Sequence, residues 1–106
     1  MALASIRPAA VAGQFYPRDE RVLRTQLAEM LSTAVAFESA PAPKAIIVPH
    51  AGYMYSGPVA ASAYALLAPL RERIRRVVML GPTHRVAIRG LALPAAQVFA
   101  TPLGEV

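Results

Sequence analysis

Apolar residues in the first third of the chain recur at three- and four-residue steps, through Val22, Leu23, Leu27, Met30, Leu31, Ala34 and Val35, with Arg21, Arg24 and Glu29 between them. That period predicts a helix with one buried side. Pro17 followed by Asp19 and Glu20 supplies its start, a ring-fixed first residue and then acids that favour the positive end of the helix dipole. Residues 39–43 hold two prolines and break the pattern. Residues 44–48 (Lys-Ala-Ile-Ile-Val) show no alternation, which predicts a short strand buried on both faces. Pro58 after Gly57 predicts the opening of a second helix running to Leu67, free of charge and so covered over most of its circumference. Residues 76–80 (Arg-Val-Val-Met-Leu) predict a second apolar strand, and the 27 residues between Val48 and Arg76 leave ample length for a helical crossover. Residues 90–94 predict a third, shorter strand of open direction. The expected fold class is therefore α/β, a mainly parallel sheet with helices on its faces.

Composition narrows this picture. The chain has 106 residues, enough for one domain and no more. With 56% hydrophobic and 16% charged residues it is too apolar for a disordered chain and should bury a core. So small a domain hides only about 60 to 65% of its unfolded surface, so a sequence this apolar leaves greasy area that self-association or further polypeptide would cover. With no helix after residue 94 to close the sheet, residues 1–106 are expected to be the N-terminal part of a larger α/β domain, associating with its remainder or forming a homo-oligomer.

Cysteine is absent, which excludes a disulfide framework, a thiolate nucleophile and sulfur ligands within the chain. Arg7 and Pro8 interrupt the N-terminus before an apolar stretch of signal-peptide length develops, so a cytoplasmic location is expected. Residues 45–70 carry no charge, yet Pro49, His50, Gly52, Ser56, Gly57 and Pro58 in their middle argue against a membrane span. The net charge of +5 comes mostly from dispersed arginines. The one cluster, Arg71, Arg73, Arg75 and Arg76, suits the negative end of a helix, and nucleic-acid binding is not favoured.

The chain has two histidines, and each follows a predicted strand within four residues: His50 in Val48-Pro49-His50-Ala51-Gly52-Tyr53 and His84 in Leu80-Gly81-Pro82-Thr83-His84-Arg85. Ligands of open α/β sheets sit beyond the carboxyl ends of the strands, where loops supply the polar groups. Neighbouring parallel strands lie about 4.8 Å apart, so two imidazoles from adjacent loops can converge on one metal ion or small ligand. A lone histidine more often caps a helix or bonds a carbonyl, but two at equivalent positions favour a site. Tyr53, Tyr55 and Ser56 could orient a substrate, or equally pack the loop against the sheet. Thr83 could support His84, and Arg85 could neutralise an anion. Neither a glycine-rich phosphate loop nor a serine nucleophile elbow is present.

Three motifs in order carry a resemblance to a known family. They are Arg7-Pro8-Ala9-Ala10-Val11-Ala12-Gly13-Gln14-Phe15-Tyr16-Pro17, Pro49-His50-Ala51-Gly52-Tyr53-Met54-Tyr55-Ser56-Gly57, and Gly81-Pro82-Thr83-His84-Arg85 with Gly90-Leu91-Ala92-Leu93 behind it. Together they span nearly the whole chain, and in them the sequence resembles the N-terminal part of the Memo family, whose bacterial members are often called AmmeMemoRadiSam system protein B. The family resembles class III extradiol dioxygenases in fold, an α/β sheet holding a non-haem iron at the strand ends. By that resemblance His50 and His84 look like the two metal-ligating histidines, with Tyr16, Tyr53 and Tyr55 near the pocket, to which the reading of the residues adds Thr83 and Arg85. The family's third protein ligand is a cysteine far along the chain, and none occurs in these residues; Asp19 and Glu105 are the acids left to nominate in its place.

Two classes of function follow from the resemblance. One is a metal-dependent redox protein, dioxygenase-like, with Fe(II) or copper; a thiolate in the place of a carboxylate changes the iron's electronics and makes copper a competing metal. The other is a non-catalytic module in which the same pocket binds a peptide or phosphotyrosine-type side chain. For bacterial members the system name also suggests a radical-SAM partner. The residues themselves do not decide between a small molecule and a peptide.

Overall fold

A computed structural model describes residues 3–34 and 41–106. Its regular elements are β1 (Ile6–Arg7), α1 (Glu20–Thr33), α2 (Tyr53–Tyr64), β2 (Val98–Thr101) and β3 (Gly104–Glu105), with a 3₁₀ helix at Ala65–Leu70 directly after α2. The chain is α/β.

α1 begins later than the proline suggests. The Asp19 carboxylate accepts a hydrogen bond from the Val22 N–H at 3.0 Å, and this cap fixes the first turn, leaving Pro17 in the approach. Leu23 faces inward at 3% exposure, while Val22 and Leu31 remain largely in solvent. Val35 and Ser39, assigned above to the helix and its break, lie outside the described residues.

α2 begins earlier than predicted. Gly52 occupies the position before its first residue, the Ser56 hydroxyl donates back to the Ala51 carbonyl at 2.6 Å, and Pro58 sits inside the helix, where it donates nothing to the Met54 carbonyl. The regular α-helix stops at Tyr64, short of Leu67. α1 and α2 pack closely where Gly57 meets Met30: a Cβ at Gly57 would lie 2.6 Å from the Met30 sulfur, so only hydrogen fits there without a shift. Leu23, Ala61, Ala12, Ser56 and Gly57 form the small buried centre.

The sheet departs from expectation. It has three short strands in the order β1-β2-β3, parallel between β1 and β2 (Ile6 opposite Val98, Arg7 opposite Phe99) and antiparallel between β2 and β3 (Ala100 opposite Glu105). Segments 44–48, 76–80 and 90–94 lie in no strand, so the mainly parallel sheet and its βαβ crossover are corrected to a small mixed sheet with two helices. The reason is one of partners. Strands buried on both faces need hydrogen-bonded neighbours and helical cover, and the described residues supply neither: Ile47 is fully exposed and Val78 is 86% exposed. The paired segments come instead from near the two ends of the chain, where the Ser5 carbonyl accepts from the Gln97 and Val98 N–H groups at 2.9 and 3.2 Å.

Candidate metal-binding site

The site rests on a turn at residues 11–16. Gly13 takes φ +84°, a conformation L side chains rarely adopt, which lets its N–H donate to the Tyr16 carbonyl at 2.7 Å. The Arg18 guanidinium closes the turn from outside by donating to the Ala12 carbonyl at 3.2 Å. The Phe15 carbonyl then accepts from the Tyr53 N–H at 2.8 Å, and the Phe15 backbone lies 3.5 Å from where a Gly52 side chain would begin. A backbone clamp thus holds the loop after segment 44–48 against the first motif, and Gly52 permits the close approach.

That loop carries His50. Its Nε2 lies 3.2 Å from Nε2 of His84, with ring centroids 5.2 Å apart and planes tilted by 41°. The two imidazoles, 34 residues apart in sequence, point the same nitrogen at each other from exposed positions. Two readings fit this distance. One ring can donate an N–H to the other, at the long end of the hydrogen-bond range, or both can present lone pairs to one ion. With metal–nitrogen bonds of about 2.1 Å, a separation of 3.2 Å corresponds to two adjacent ligands at an angle of roughly 100°, so the donor pair fits a first-row metal such as iron or copper. Among the described residues no third His, Cys, Asp or Glu completes a ligand cluster with the pair, and Asp19 and Glu105 are accounted for as the α1 cap and a β3 residue.

The tyrosines divide. Tyr16 and Tyr53 form a tilted pair with ring centroids 5.7 Å apart. Burial, together with neighbouring Tyr16 and Tyr64, pushes the Tyr53 phenol above its ordinary value of 10.0. Tyr55 projects outward at 77% exposure, and Thr83 and Arg85 are likewise exposed, without a side-chain hydrogen bond to either histidine. Tyr16 also borders a cleft of about 230 Å³ with Arg7, Val11 and Phe99, a lining that does not include the histidines. The sequence reading left out Phe15, whose contribution is a carbonyl and so leaves no mark in residue type, and Tyr64, which acts on Tyr53 from the other end of α2.

A family model described as Memo-like protein matches residues 7–106. The chain belongs to the Memo-like family. It is 44% identical over 97 residues to Protein MEMO1 of Danio rerio, covering 92% of this chain and 31% of that protein. It is 37% identical over 103 residues to a MEMO1 family protein of Aquifex aeolicus, covering 95% and 36%. The MEMO1 family protein MHO1 of Saccharomyces cerevisiae is 37% identical over 102 residues, at 95% and 30%. The Memo-like chain spans about a third of the length of these curated relatives. No helix among its described residues is long and apolar enough to cross a membrane.

Proposed function

We propose that this Memo-like chain carries two ligands of a redox-metal centre, His50 and His84, and that the whole protein uses bound iron or copper in oxidative, dioxygenase-like chemistry. The observation that carries this reading is the 3.2 Å approach of the two Nε2 atoms from loops far apart in sequence. Two unlike loops converge on one point through the same ring nitrogen, and nothing about packing requires that of exposed rings. A bound metal would supply open coordination positions for oxygen and a reducing substrate. The chain's own part is to hold the nitrogens together: the Phe15–Tyr53 clamp fixes the His50 loop, and Tyr53, kept as the neutral phenol, offers a hydroxyl to an incoming group.

Titration of the chain with Fe(II) under argon, and separately with Cu(II), tests the metal. One ion per chain is expected, with affinity at least tenfold lower in His50→Ala and again in His84→Ala, since losing a ligand costs no less than the roughly 10- to 100-fold lost with an outer-shell partner of one. Equal binding by all three proteins would eliminate the centre. A second reading, recognition of a peptide side chain without turnover, is favoured by the exposure of both histidines and of Arg85. Oxygen uptake with catechol-type substrates separates the two, since a binder consumes none.

A further inference from the structure

We propose that the cleft between β1, the turn at residues 11–16 and β2 binds a small carboxylate with an apolar body, and that Arg7 holds the anion. This site is separate from the histidine pair, which does not line it. The register of β1 against β2 sets Arg7 opposite Phe99, and the Arg7 Cζ lies over the Phe99 ring, 5.7 Å from its centroid. A guanidinium stacked by its face keeps its N–H groups at the edge, where the planar fork can meet a carboxylate through two parallel hydrogen bonds. Among the described residues no carboxylate pairs with Arg7, and its side chain donates no hydrogen bond.

The lining identifies the occupant. Arg7 is the one charged residue on a wall made otherwise of Pro8, Val11, Tyr16, Phe99 and alanines. A carboxylate sets its single charge on the fork and leaves the rest of the molecule to apolar contact. A phosphate would bring a further oxygen and more charge to a surface with one cation, and a polar group set against apolar side chains without a partner costs free energy. The last residue of a peptide would bring amide groups with its carboxylate, and Pro8 has no N–H to offer them. The cleft, at about 230 Å³, falls below the roughly 300 to 1,000 Å³ of sites for drug-sized ligands, so the molecule is small.

Benzoate is the probe, titrated into the full chain by calorimetry. It should bind at least tenfold more tightly than benzyl alcohol, an uncharged molecule of similar shape, and more tightly than phenyl phosphate or N-acetylphenylalanine. Arg7→Gln should lower the benzoate affinity at least tenfold and Arg7→Lys by less, whereas Arg75→Gln, the same loss of charge outside the cleft, should leave it unchanged. One readout needs no variant. β1 and β2 each supply half of the Arg7–Phe99 contact, so a ligand seated on it resists opening of the ladder, and benzoate at ten times its Kd should slow amide exchange at Gln97 and Val98 about tenfold. Any of four results would overturn the proposal: benzoate binding no better than benzyl alcohol, tighter binding of phenyl phosphate or N-acetylphenylalanine, Arg7→Gln binding benzoate as well as Arg75→Gln does, or unaltered exchange at Gln97 and Val98.

Discussion

Burial of the Tyr53 phenol has a pH consequence that belongs to this residue alone. Its folded pKa is raised by desolvation first, then by Tyr16 and Tyr64, so the fold favours the neutral hydroxyl over the phenolate. A raised value means the stabilisation is complete below the unfolded pKa, near 10.0, and is lost as pH climbs through the folded value. Urea midpoints should therefore fall as pH rises above 10.0, and Tyr53→Phe should flatten the decline; an unchanged slope in the variant would place the loss elsewhere. At this scale the sequence was informative about the histidines, because Pro49-His50 and Thr83-His84 each follow an apolar run, and position relative to a run survives even when the run forms no strand. Tyr55, Thr83 and Arg85 show the limit. All three are exposed, as the two histidines are, and adjacency in the chain gives none of them a side-chain hydrogen bond to either ring.

Helix starts depend on which side chain reaches the free N–H groups. In α1 that side chain is Asp19, accepting from Val22 at 3.0 Å from a residue with extended backbone. Asp19→Ala should cost about 1 kcal/mol, read as a lower urea midpoint of the helical signal, and Asp19→Asn should restore most of it; a silent Asp19→Ala would show that packing at Leu23 sets the start unaided. Both helices were legible in the sequence and both starts were misplaced by proline. Pro17 and Pro58 each resemble a first helical residue, yet α1 begins three residues after the former and α2 five residues before the latter. For α2 the reason is tertiary: the Phe15 carbonyl draws in the Tyr53 N–H, and the Gly52 carbonyl takes the Tyr55 N–H at 2.9 Å. An acceptor 38 residues away leaves no local trace.

Pairing at the scale of the molecule is decided by what lies within reach. Segments 44–48 and 76–80 have the hydrophobic pattern of central strands, and that pattern states what a segment needs to bury without supplying a neighbour; β1, only Ile6 and Arg7, lacks it and pairs with β2 nonetheless, through two residues each. Their ladder closes a loop of about ninety residues, an entropic cost of roughly 4 kcal/mol by the logarithmic length law. Against it stand few backbone hydrogen bonds, each worth about 1 kcal/mol net, and little burial, with Ile6 50% and Phe99 37% exposed. The β2–β3 hairpin and the α1–α2 contact close shorter loops, and the helices also share Leu23 and Ala61 at 3% and 6% exposure. Opening should consequently begin at the parallel ladder. In native-state exchange of the chain alone, the Gln97 and Val98 amides, both bonded to the Ser5 carbonyl, should lose protection before those of Phe99 and Val106, which bond each other's carbonyls at 2.8 and 2.9 Å, and before those of α2. Slowest exchange at Gln97 and Val98 would mean that the ends of the chain hold the fold together, and that the helix pair is the part that opens first.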